Sequence, residues 1–345
     1  MTNRSKSIVT LKDVASAIKM SLATVSYALR HDPKIAKATR ARIQAVAQQM
    51  GYRPNPRVAG LMAHIRGARG RAQSERIAFV WVNTSRRTAT ENAYLRLLFN
   101  GAQAGAERFG FALEEFWTAD PGMTDHRLQK IIFSRGITGI LLSPVLNRET
   151  SLALDWDWDR FAAVAIGNVT WTPELHHAGH YHFLAMHTTL RELAKLGCTR
   201  PAAIVDPVFN SRAKQAWTAA FLAHHPEPAH ARHLLYLPSP GRPKELAPWL
   251  QRCGADAVIV SAAALLSAPG VRAVCSQQRL QIATLHWTAN LPASVAGIDQ
   301  CTERLGAQAV ELLIAQLQQN ERGPPAHPGM MLFPGRWVAA SRPAR

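Results

Sequence analysis

Residues 9–27 read VTLKDVASAIKMSLATVSY, and this stretch decides the fold of the N-terminal part of the chain. Leu11, Val14, Ala15 and Ile18 recur at three- to four-residue spacing, as one face of a short helix requires. Ser21 then offers a side-chain oxygen to cap a second helix, Leu22 to Leu29. Two short helices with so little chain between them predict a helix-turn-helix, whose second helix enters the major groove of DNA. A third helix is expected from Lys37 to Met50, stopped by Gly51, with Val14, Val25, Leu29, Ile43 and Val46 as the shared core. Charge agrees with that reading. Residues 1–66 hold twelve Lys and Arg against Asp13 and Asp32, so +10 of the chain's net +17 lies in its first fifth. Phosphate neutralisation calls for that concentration.

Beyond the basic, glycine-containing segment GARGRAQS (67–74) the pattern changes. IAFVWV (77–82), FALEEFW (111–117), ITGILLS (137–143) and FAAVAIG (161–167) read as strands separated by amphipathic helices. The rhythm restarts with AAIVD (202–206), a helix over 211–224, and then HLLYLP, DAVIVS, QIATLH and SVAGID. Such βαβ alternation predicts parallel sheets covered on both faces, and two runs of it predict two lobes around a cleft. The 345 residues suffice for a headpiece and two lobes.

The motifs also carry a resemblance. TLKDVA, S-x-A-T-V-S and AKATRARIQAVAQQMGYRPNP, followed in order by ERIAFVW, GITGILLSP, VAGID and GRWVAAS, resemble the lactose-repressor (LacI/GalR) family of bacterial transcription regulators. The resemblance implies an all-α helix-turn-helix headpiece (1–54), a hinge and linker (55–74), and an α/β two-lobed core like periplasmic binding proteins, with parallel sheets (75–345). The chain is then expected to cross between lobes near Thr199, Asp299 and Gly323. The implied protein is a cytoplasmic homodimeric regulator, a repressor. Its partners are double-stranded operator DNA and a small-molecule effector in the core cleft, with no cofactor, no catalytic role and no membrane.

By the same resemblance, Leu22, Ala23 and Tyr27 face bases, while Lys19, Thr24 and Ser26 reach phosphates. Thr10, Leu11 and Ser21 complete the headpiece contacts. None of the base-facing set is an Arg, Asn or Gln that reads a base bidentately, so thymine methyls are the expected target. The rival reading of Leu22 is packing against the third helix. Asn55 and Arg57 are expected at the groove and backbone, and Leu61 as a wedge in the minor groove, against the plain reading of a linker. Asp299, Arg212, Asn83, Trp217 and His180 are the expected effector contacts, with Trp81 and His182 beside them. Two departures stand out. Lys19 holds a turn position where the family carries glycine, and Ala262-Ala263 replaces an Asn-Asp pair that binds sugar hydroxyls.

Other signals are read and set aside. Cys198, Cys253, Cys275 and Cys301 are scattered without a C-x-x-C pair, as for reduced thiols. His176, His177, His180, His182 and His187 crowd a segment read as a loop entering a helix, with no cysteine near to complete a zinc site. DWDWD (155–159) lacks the glycine and glutamate of a calcium loop. No run of eighteen apolar residues and no secretory leader is present, which argues against a membrane span and export. Nothing marks an enzyme. A solute-binding protein without DNA function is the alternative, and the headpiece separates the two.

Overall fold

In the computed structural model, residues 9, 11–29, 35–50, 52, 75–146, 149–238 and 243–341 are described. Helices α1 (Leu11–Ala17), α2 (Leu22–Leu29) and α3 (Lys37–Gln49) come first. They bury Val14, Ala15, Val25, Ala28, Ile43 and Ala47 together, with Leu11, Ile18, Met20, Leu29 and Tyr52 packed around them. Three of the five expected core residues are central. Leu29 sits at the rim and Val46 is half-buried, because Ala28 and Ala47 occupy the middle. Small side chains there let short helices approach closely and exclude water with little apolar volume.

The core begins with β1 (Glu75–Trp81), α4 (Arg86–Glu91), α5 (Ala93–Arg108), β2 (Phe111–Trp117) and α6 (Asp125–Ser134). It continues through β3 (Gly139–Leu142), β4 (Ser151–Ala153), β5 (Ala162–Ile166), β6 (Thr170–Thr172) and β7 (His176–His180). The chain then enters a second lobe through α7 (His182–Lys195), β8 (Pro201–Ile204), α8 (Pro207–Arg212), α9 (Ala216–His224) and β9 (Leu235–Tyr236). That lobe is filled out by α10 (Leu246–Arg252), β10 (Ala257–Val260), α11 (Val271–Gln277), β11 (Gln281–Thr284) and β12 (Val295–Asp299). The chain returns to the first lobe as α12 (Thr302–Gln319) and β13 (Met330–Phe333), and ends in the second lobe as β14 (Arg336–Val338).

The first-lobe sheet has the order β13-β7-β5-β3-β1-β2 and is parallel throughout. The second has the order β14-β12-β11-β10-β8-β9, parallel except for β14, which runs against β12. Strands β3, β5, β8 and β10 are buried at every position, as expected of strands covered by helices on both faces.

Three expectations change. The histidine-rich segment is not a loop: residues 176–180 form β7, in which His177 and His180 are buried. A neutral imidazole can be buried when one of its nitrogens is partnered, as His177 Nδ1 is by the Gly167 carbonyl and His180 Nε2 by the Tyr94 hydroxyl, so polar letters hid a strand. The helix expected over 211–224 is two helices. Asp206 accepts the Val208 and Phe209 amides to start α8, and Lys214 and Gln215 at φ 52° and 62° separate it from α9. The lobe crossings fall at Tyr181 and at Pro334-Gly335 rather than near Thr199 and Gly323; the crossing beside Asp299 is where it was expected.

The return helix α12 is held against α5 at backbone distance. A Cβ on Gly306 would collide with the Leu98 carbonyl oxygen, and one on Gly101 with that of Glu303. This approach carries Leu305, Ala309, Leu313 and Ile314 into the core beneath β3, β5 and β7. Gly306→Ala therefore sets two effects of opposite sign against each other. Helix propensity alone favours Ala by about 1 kcal/mol. The collision costs about 1–3 kcal/mol or more and should win, so the variant should melt below wild type in calorimetry of the full chain. A raised melting temperature would mean that the helices have room.

Candidate nucleic-acid interface and interlobe cleft

The turn between α1 and α2 resolves the Lys19 departure. Lys19 adopts φ 54°, with its amide donating to Ser16 O (3.3 Å) and the Met20 amide donating to Ala15 O (3.1 Å). These two bonds make the helix ending that normally selects glycine. Lysine therefore tolerates the left-handed conformation, at a cost of about 1 kcal/mol. Ser21 caps α2 as expected: its Oγ accepts the Thr24 amide at 3.1 Å and lies 2.8 Å from Thr24 Oγ1.

With Val25 and Ala28 turned inward, the opposite side of α2 faces outward. Leu22 is 48% exposed and Tyr27 38% exposed. Leu22 is thus not a core residue packed on the third helix. Lys19 and Ser21 are exposed beside it, and Thr24 and Ser26 are half-buried. Leu11, in contrast, packs against the headpiece core, which sets its main role as structural. Ala23 lies in the first turn of α2. Thr10, Asn55, Arg57 and Leu61 lie outside the described residues.

The second site forms where strand ends of the two lobes meet. His180 ends β7, and its Nε2 lies 3.4 Å from the Tyr94 hydroxyl on α5. His182 opens α7; its ring is 6.0 Å from that of His180 and packs edge-on against Trp217 at 4.7 Å. His286, after β11, meets Tyr94 edge-on at 5.9 Å, and Arg212 at the end of α8 donates to the Val145 carbonyl across the gap. Of the expected residues, His180, Arg212 and Trp217 are therefore gathered around His182.

Asp299 is near the group but committed. It accepts the Cys301 amide at 2.9 Å and pairs with Arg336 at 3.1 Å. Asn83 is exposed, donating to Glu149 at 2.9 Å. Trp81 is a core residue that donates to Glu115 at 2.7 Å. Tyr94 and His286 were missed: one is a lone aromatic on an amphipathic helix, the other a lone histidine after a strand, and no local pattern marks either. Among the described residues, no three His, Cys, Asp or Glu side chains converge as a metal site.

Burial governs the electrostatics of the cluster. It pushes His180 down to about 3, assisted by His182 and His286, and His182 down to about 4, assisted by His286 and Arg212. Burial lowers His286 as well, against the pull of Asp299, and raises Tyr94 to about 12 despite Arg212. At neutral pH the rings are uncharged hydrogen-bonding groups around one guanidinium, which stays charged.

Two measurements follow. Lys19→Gly should stabilise the headpiece by about 1 kcal/mol, seen as a higher melting point of its transition; an unchanged transition would mean that φ 54° carries no strain. The histidines set a pH window. Exposed imidazoles bind protons below about 6.5, whereas the closed cluster resists until 4 to 3. The stability of the closed form is thus complete above pH 6.5 and is lost as pH falls through that window. Melting temperature should drop from pH 7 to 5, and less steeply in His182→Asn; identical slopes would remove His182 as a source.

Comparison with known proteins adds the family. Residues 10–55 match the model for bacterial regulatory proteins of the lacI family. The HTH-type transcriptional regulator PtxS of Pseudomonas plecoglossicida is 22% identical over 334 residues, 92% of each chain. The HTH-type transcriptional repressor CytR of Escherichia coli strain K12 is 49% identical over 47 residues, 14% of each. Among solved structures, the transcriptional regulator CelR in complex with cellobiose aligns with a TM-score of 0.53 at 16% identity, covering 98% of this chain and 100% of that one. That likeness extends the shared fold through the periplasmic-binding-protein-like core. Residues 10–55 are thus a DNA-binding headpiece of the lacI type, and the core that follows repeats the two-lobed architecture of the solved regulator.

Proposed function

We propose that the protein is a cytoplasmic homodimeric repressor that holds operator DNA through paired headpieces and answers to a small molecule bound between its lobes. The carrying observation is the outward face of α2, where Leu22 and Tyr27 stand exposed on a capped helix in a basic headpiece. A leucine side chain on a major-groove helix suits thymine methyls, and Tyr27 extends the same reading face; Ala23, next in sequence to Leu22, is assigned to the bases with them. Lys19, Ser21, Thr24 and Ser26, with Thr10, serve the phosphates, which position the helix without specifying sequence. One such headpiece presents too few base contacts for a unique site, which favours a two-fold dimer on a near-palindrome. Asn55, Arg57 and Leu61 are assigned to the minor groove between half-sites.

The effector reading rests on the gathering of His180, Arg212 and Trp217, with Asp299 and Asn83 toward the rim. Both relatives cited for the chain are regulators by name, one of them a repressor. Regulators of this family are not enzymes, and among the described residues no helix is long and apolar enough to cross a membrane. A solute-binding role without DNA leaves the headpiece unexplained.

The test is selection of a binding site from random DNA with the full chain. A near-palindrome is expected, with affinity falling steeply in salt. Removing residues 1–66 should abolish specific binding, and Leu22→Ser should weaken it by about 1–3 kcal/mol while sparing non-specific binding. Site-specific binding by the truncated core would overturn the assignment.

A further inference from the structure

The side chains that meet between the lobes are rich in donors and carry positive charge. Arg212 is half-buried there, and the Tyr94 hydroxyl and three neutral imidazoles stand around it. His180 Nδ1 and Trp217 Nε1, on side chains only 8% and 5% exposed, meet no hydrogen-bond partner among the described residues. Buried polar atoms in that condition point to a ligand or water supplying the missing half. The carboxylates on the surrounding segments already have partners: Asp206 caps α8, Glu149 accepts from Asn83, and Asp299 is shared between Arg336 and the Cys301 amide. Ala262 and Ala263, following β10, offer no side-chain acceptor. A neutral polyol presents hydroxyl protons that need acceptors, and here those come from the neutral imidazoles and the Tyr94 oxygen alone, whereas Arg212 and Trp217 only donate. An anion presents acceptors alone and brings the charge that a buried guanidinium favours.

We propose that the cleft between the lobes takes a small carboxylate-bearing molecule, its carboxylate on Arg212 and its remaining acceptors on His180, His182 and Trp217. The inference rests on the effector reading above and narrows its chemistry. An anion held by groups from both lobes draws them together, so its binding favours the closed arrangement that the Arg212–Val145 contact already joins.

The experiment uses the full chain and acid–alcohol pairs of one skeleton: glucuronate and glucose, lactate and propane-1,2-diol, benzoate and benzyl alcohol. Thermal shift and calorimetry are read beside binding to the selected DNA site. At least one acid should bind about ten- to a hundredfold more tightly than its alcohol, and Arg212→Gln should erase the preference. Because Arg212 also joins the lobes, Arg212→Lys is the companion variant; it keeps the charge and should keep the preference. Acids that bind no better than their alcohols would overturn the proposal while leaving a neutral effector open. An acid that binds with preference but leaves DNA affinity unchanged would uphold the anion site and defeat the effector reading.

Discussion

Helix α12 lies against α5 so closely that neither Gly101 nor Gly306 has space for a side chain, and the core architecture depends on that contact. It brings a segment made after all of the second lobe but its last strand back beneath the first-lobe sheet, where Leu305, Val310 and Leu313 complete the core. The lobes therefore meet along strands joined at three crossings, and the residues at those crossings can hardly move independently. Cys301, at φ 49° two residues after Asp299, and Gly335, which passes close over Ile298 and the Asp299 carbonyl, show how tightly the chain is routed there. His180, His182 and His286 stand at or just after the ends of strands in the two lobes and inherit their positions from the routing.

Much of the fold was legible in the residues because apolar runs and their spacing survive in any packed α/β protein. The strands around IAFVWV, ITGILLS and DAVIVS are nearly continuous hydrophobic text, and the structure buries them as such. Strand β7 was not legible, since histidine stands where Val or Ile would announce burial. The break between α8 and α9 was hidden in a similar way. Asn210 is buried and bonds forward to Thr218, while Gln215 turns left-handed, and no glycine or proline marks the spot.

The candidate sites divide along the same line. In the headpiece, function follows local periodicity: Ser21, Val25 and Tyr27 take their roles from their places on one short helix, so sequence reading reached them. Between the lobes, function depends on which distant segments meet. His180 was reachable from the crowded histidines and Trp217 as a cleft wall, but Tyr94 arrives from a helix almost ninety positions before His180 and touches His286 from the far lobe. Only the closed fold brings those rings together. Their neutrality is likewise a tertiary property, since burial and mutual repulsion, rather than composition, remove the charge.

The threefold crossing also orders events during synthesis. The headpiece is made first and, with its own small core, has everything needed to form three helices while the rest is still on the ribosome. The first lobe cannot follow suit, because α12 and β13 belong to its sheet and core yet are made only after most of the second lobe. Until then, the hydrophobic underside of β1, β3 and β5 must wait, in a state exposed to aggregation and chaperones. A nascent chain can thus present a folded DNA-reading headpiece on an unfinished core, and the arrival of α12, β13 and β14 is what completes that core.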